Sequence, residues 1–139
     1  MAAVSATVTR EFSVAIIAPD DGPSRVSVAM HYGTADPFAV QARFQVAVDQ
    51  QITWVFAREL LAEGLDRAAG DGDVRIWPAV RAGREVVGIA LRSPDGEALL
   101  RARAEALVDF LTATYALCPR GRESQHLEID RALGALFAT

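Results

Sequence analysis

Glu59 and Glu63, four residues apart, are the first spacing in this chain that could do chemistry. On one helix face such a pair can share acid–base work or hold a metal. No histidine stands at a matching spacing, and a solvated helix face accounts for both. Gly70-Asp71-Gly72-Asp73 suggests a calcium loop or a phosphate cradle, but it lacks the closing Glu of the first and the G-x-x-x-x-G-K of the second. A tight turn into a strand explains it. Asp36 stands beside Pro37, where turn chemistry suffices. His31 and His126 are isolated, without the Ser, Cys or Asp arrangement that a nucleophile and its base require. Cys118 is the one cysteine, so no disulfide or zinc cluster can form within the chain; it reads as a small hydrophobe near a helix end. The expectation is a protein without catalytic residues, cofactor or metal.

Arginines and aromatics raise a different possibility. Arg43, Phe44, Trp54, Arg75 and Trp77 fall in strand-like segments, and arginine interleaved with aromatics on a sheet can stack and neutralise single-stranded nucleic acid. Strict alternation with polar neighbours assigns Phe44 and Trp54 to the core instead. Trp77, followed by Pro78 at a strand end, is open to an interface role, since tryptophan and arginine are favoured interface anchors. The net charge of -4 argues against a dedicated nucleic-acid binder, which needs excess positive charge to displace counterions.

The elements that must position these residues follow from periodicity. A chain of 139 residues with 51% hydrophobic residues fits one domain, 1–139, with a real core, its tail from about 119 being the least defined part. Four strands open it. Val8 to Ile16 alternates, and Pro19-Asp20-Asp21-Gly22-Pro23 turns the chain. Val26, Val28, Met30 and Tyr32 share the next inward face. After Thr34-Ala35-Asp36-Pro37, the even positions from Phe38 to Val48 point inward, and beyond a turn at Gln50-Gln51 come Ile52, Trp54 and Phe56. Short turns between strands predict an antiparallel meander with one wetter face.

The period then changes to that of a helix. Leu60, Leu61, Gly64 and Leu65 make its inner side, while Arg58, Glu59, Glu63 and Arg67 make its outer side, with Glu63 and Arg67 as an i,i+4 pair. A strand from Asp73 to Val80 and a hairpin turn over 81–84 lead to a further strand, Glu85 to Arg92. From Ser93 as N-cap and Pro94, one long helix is expected to Leu117, burying Leu100, Ala104, Leu107, Leu111 and Tyr115. The tail from Glu123 reads as an extended piece and a small helix capped by Asp130, with Leu133, Leu136 and Phe137 on one side. The class is α+β. Met1 to Arg10 lacks a secretory signal and no run can span a bilayer, so a cytoplasmic protein without direct membrane insertion is expected.

All 14 basic side chains are arginine, and lysine and asparagine are absent. Their codons are AT-rich, so the composition fits a high-GC bacterial source. In that light the segments Thr34 to Val40, Trp54-Val55-Phe56-Ala57-Arg58-Glu59-Leu60-Leu61-Ala62-Glu63-Gly64-Leu65, Gly72-Asp73-Val74-Arg75-Ile76-Trp77-Pro78 and Ser93 to Leu100 resemble the SsgA-like proteins of actinobacteria, closest to their B type. The likeness covers roughly residues 25 to 118, with departures in the first strand and after Cys118. It implies a whirly-like fold assembling as a homotrimer, and a regulator of sporulation-specific cell division at the septum. It further implies partners such as the tubulin-like division protein FtsZ or other SsgA-like proteins, and no established catalytic residue. The family motif residues carry over as Asp36, Pro37, Trp54, Phe56, Arg58, Leu60, Gly64, Asp73, Trp77 and Pro78, most of them structural.

Two functions follow as expectations. The first is a non-enzymatic adaptor that oligomerises and recruits division machinery, with Arg58, Glu59, Glu63, Arg75 and Trp77 as candidate partner contacts. Charge reversal at Arg58 is then expected to weaken binding and leave the fold intact. The alternative is a single-stranded nucleic-acid binder using the same sheet.

Overall fold

The computed structural model describes residues 6–18 and 22–137. Its elements are β1 (Thr7–Ala18), β2 (Gly22–Gly33), β3 (Ala39–Ala47), β4 (Gln50–Ala57), α1 (Arg58–Gly64), β5 (Val74–Arg81), β6 (Arg84–Ser93), β7 (Gly96–Arg103), α2 (Ala104–Leu117) and α3 (Glu123–Phe137). The strands form one antiparallel sheet in the order β4-β3-β2-β1-β7-β6-β5. It consists of two meanders, β1–β4 and β5–β7, joined where Ala15 and Ile16 of β1 pair with Arg101 and Leu100 of β7.

Cross-strand partners share a face, so the register divides the side chains in two. One face carries Val14, Val28, Met30, Tyr32, Val40, Ala42, Phe44, Phe56, Ile76, Val87, Ile89 and Leu100, all buried. Leu61 of α1 and Leu107, Phe110 and Leu111 of α2 complete this core. A fully buried phenylalanine such as Phe110 contributes on the order of 2–3 kcal/mol from apolar area removed from water. Gly64 lets α1 lie close on β5, since a Cβ there would stand 2.3 Å from Ile76 Cγ2. The other face of the sheet is open.

The four-strand meander and the α+β class match the sequence expectation. Several details differ. The turn between β3 and β4 falls at Val48-Asp49, because Ala47 pairs with Gln50 after a bulge near Val46. That bulge ends the inward alternation, so Val46 and Val48 are exposed, as is Phe38 ahead of the strand. The larger correction concerns residues 96–103, which form β7 and not the first turns of a helix. Gly96 has φ of 138°, a left-handed-side value open to glycine, and the Ser93 hydroxyl accepts from the Asp95 N–H, so 93–96 is a hairpin turn. β7 then fills the gap between β1 and β6, satisfying backbone groups on both edges. The tail differs as well: α3 runs unbroken from Glu123. Of the turn expected over 19–23, Gly22 and Pro23 instead open β2, paired with Ala18 and Ile17; residues 19–21, residues 1–5, and the side chains of Asp130, Leu133 and Phe137 lie outside the described residues. No described helix is long and apolar enough to cross a membrane.

Candidate functional site

Arg58 begins α1 directly at the end of β4, where its N–H bonds the Phe38 carbonyl at 2.8 Å. This start points its side chain inward, under the C-terminal end of α2. The guanidinium donates to the Cys118 carbonyl at 2.8 Å, to the Thr114 carbonyl and hydroxyl at 3.4 Å each, and to the Glu123 carboxylate at 2.7 Å. Its Cζ lies 4.8 Å from the Tyr32 ring centre and 4.9 Å from that of Tyr115. The side chain is only 2% exposed. The outer-face placement expected for Arg58 is therefore corrected: it is a buried cation. A charge at this place offsets the partial negative charge of the α2 carbonyls and the carboxylate of Glu123 together.

The ionisable neighbours respond to that environment. Burial works to raise the Glu123 carboxyl, but the hydrogen bond from Arg58 and those from backbone N–H groups outweigh it, holding the group below its ordinary value of 4.5. Tyr32 is pushed well above the ordinary phenol range by burial, with Arg58 opposing, and its hydroxyl donates to the Pro37 carbonyl at 2.9 Å. Tyr115 is also raised by burial, against the pull of Arg120 and Arg58.

Glu59 is exposed and bonds Arg120, whose Nε lies 2.9 Å from it. Glu63 is half-buried, and its carbonyl accepts the Asp66 and Arg67 N–H groups that close α1. Arg67 lies past the helix end, so the expected Glu63–Arg67 pair does not form among the described residues. Arg75 and Trp77 flank Ile76 on β5. Ile76 faces α1, so Arg75 and Trp77 point through the opposite, open face. The structure thus separates the candidate contacts onto two sides of the sheet. Trp77 lies across Gly88, where any Cβ would come within 2.3 Å of the indole.

The remaining motif residues are structural in their surroundings. Pro37 and Phe56 are buried, and Trp54 and Leu60 pack against the core. The Asp36 backbone closes the turn from Gly33 to Ala39, and the Asp73 carbonyl accepts the Arg92 N–H at 2.8 Å. Pro78 lines a groove of about 590 Å³ between α1, α2 and β5–β6. Ala62, Leu65, Val80, Val108 and Tyr115 also line it, with Arg120 at its rim. Val80 is 70% exposed and Val108 49%. Sequence periodicity did not reveal this groove, or the roles of Tyr115, Arg120 and Glu123, because all depend on where α2 ends.

A family model described as Streptomyces sporulation and cell division protein, SsgA, matches residues 26–123. The chain is 44% identical over 135 residues to the sporulation-specific cell division protein SsgB of Streptomyces coelicolor, covering 97% of this chain and 98% of that one. It is 41% identical over 130 residues to SsgB of Thermobifida fusca, covering 94% of each. Among solved structures, the SsgA-like sporulation-specific cell division protein of Thermobifida fusca superimposes with a TM-score of 0.89 at 39% identity, over 99% of this chain and all of that one. A structure concerning mutations in SsgB that correlate to longitudinal cell division during sporulation of Streptomyces coelicolor gives a TM-score of 0.87 at 45% identity, over 91% of this chain and 99% of that one.

Proposed function

The chain belongs to the family of the Streptomyces sporulation and cell division protein SsgA, and on that premise we propose that it is a non-enzymatic adaptor that positions FtsZ at septation sites. The observation that carries the cell-division reading is the near full-length identity to SsgB. The contact surface in this reading is the groove between α1 and α2, lined on the α1 side by Ala62, Leu65 and Asp66, with Glu59 bonded to Arg120 at its rim and Glu63 on the same helix. An apolar trough with a polar rim suits an amphipathic partner segment. Arg58 supports this surface from beneath by fixing α1 against the end of α2.

Homotrimeric assembly belongs to the same proposal. β4 and β5 are the two edges of the sheet, and both carry exposed aliphatics: Ile52 and Val55 on β4, Val80 on β5. Unpaired apolar edges are ordinarily protected by association, and several copies of one weak surface gain affinity through avidity. Subunit count by analytical ultracentrifugation checks the assembly. For the groove, Val108→Glu and Thr112→Glu are exposed changes that leave the core untouched. Each is expected to reduce co-sedimentation with FtsZ polymers at least tenfold while far-UV circular dichroism and melting stay as in wild type. Undiminished pelleting of both variants would sink the groove assignment, and failure of wild type to pellet would sink the FtsZ reading.

A further inference from the structure

The open face of the sheet separates charge in a way the composition hides. Read through the strand register, eight of the 14 arginines point from this face, against two carboxylates, Glu11 and Glu97. The chain as a whole carries a net charge of -4, so the rest of the molecule is strongly acidic. Five of these arginines, Arg25, Arg81, Arg84, Arg101 and Arg103, line one shallow concavity of about 140 Å³ whose other residues are Ser13, Ala15, Val86 and Ala102. Among the described residues, no carboxylate lines it. Arg103 approaches Glu105 at 3.8 Å, and the other four form no ion pair among the described residues.

Beside it lies an apolar concavity of about 300 Å³, where Ile17, Trp77, Val86 and Leu99 meet Arg81 and Arg101. Four like charges without a counter-ion among the described residues repel one another, and an anionic partner relieves that cost. Guanidinium forks suit carboxylate and phosphate alike. The second concavity separates these choices. Nucleic acid is held by stacking successive bases on aromatic faces, and on this face Trp77 is the one tryptophan, tyrosine or phenylalanine, half-buried across Gly88. Aliphatic surface alternating with arginine fits instead a peptide that alternates acidic and apolar side chains.

We infer that the open face across β2, β1, β7, β6 and β5 binds an acidic protein segment, its carboxylates on Arg25, Arg101 and Arg103 and its apolar side chains on Trp77 and Leu99. This surface lies on the far side of the sheet from the α1–α2 groove and stands whatever partner that groove takes. The test uses the full chain and a fluorescein-labelled decapeptide of six glutamates with interspersed leucines, followed by fluorescence anisotropy. Binding is expected, weakening steeply with added salt. Arg25→Gln combined with Arg101→Gln is expected to reduce affinity at least tenfold, while Arg67→Gln, an exposed change on the α1 side, leaves it unchanged. Replacing the leucines by serine is expected to weaken binding further. Labelled oligothymidylate binding more tightly than the peptide would reassign the face to nucleic acid, and stronger capture by phosphatidylglycerol vesicles would reassign it to a membrane. Equal peptide affinity in the double variant would overturn the site altogether.

Discussion

Replacing Arg58 by alanine removes one side chain and undoes four attachments. Glu123, whose side chain is 13% exposed, keeps its charge and loses the cation that holds it. The Cys118 carbonyl and the last turn of α2 lose their donor, and the gap between Tyr32 and Tyr115 is left unfilled. Breaking a buried ion pair by deleting one partner costs about 3–5 kcal/mol. The two ring contacts put the total toward the upper end of that range. Against a total stability of about 5–15 kcal/mol, such a loss is large. For a chain of this length it corresponds to a fall in melting temperature on the order of 15 °C. Arg58→Lys keeps the charge but not the fork, and is expected to lose about half as much.

The assay is urea unfolding followed by circular dichroism at matched protein concentration, since association shifts apparent stability. A double-mutant cycle with Glu123→Gln is expected to give a coupling of about 1.5–3 kcal/mol. An Arg58→Ala melting point within about 3 °C of wild type, or a coupling near zero, would refute the reasoning. It would also restore Arg58 as a candidate surface contact. The same geometry forbids using charge reversal at Arg58 as a binding probe, because the fold fails before the interface is tested.

Two further outcomes can be checked directly. Gly88→Ala places a methyl group against the Trp77 indole, and is expected to lower stability by about 1–3 kcal/mol and to shift tryptophan emission to longer wavelength as the ring is pushed toward water. Acid sensitivity follows from Glu123: its folded pKa lies below its ordinary value, so the stability it contributes is present above about pH 4.5 and is lost as pH falls through the depressed folded value. Unfolding midpoints measured from pH 6 to pH 3 are expected to show a smaller acid-side loss in Glu123→Gln than in wild type.

The first four strands were legible because alternation and turn chemistry agreed there. Val28, Met30 and Tyr32 fell inward as their spacing demanded, and Thr34 to Pro37 turned the chain as their types allowed. β7 was not legible. Leu100, Ala104, Leu107 and Leu111 keep a helical spacing straight across the boundary at Arg103, and Glu, Ala, Leu and Arg all favour helices. The decision lay in two open strand edges far away in sequence, β1 and β6, which a strand at 96–103 could pair. Arg58 was misread for a related reason. A helix of seven residues shows an outer side in its own pattern, but the end of α2 and the start of α3 cover Arg58 and leave Glu59 exposed. The open arginine face shared the fate of β7, since Arg101 and Arg103 join it only once those residues alternate.

The seam between β1 and β7 has a consequence for how the chain can be built and cut. β1 stands at the middle of the sheet, with β2 on one side and β7 on the other. During synthesis its second edge stays unpaired until the residues around Leu100 arrive, long after the β1–β2 hairpin can close. Removing β1 is therefore not a trim at the margin. It divides the sheet into its two meanders and leaves each with a raw edge where the other had been.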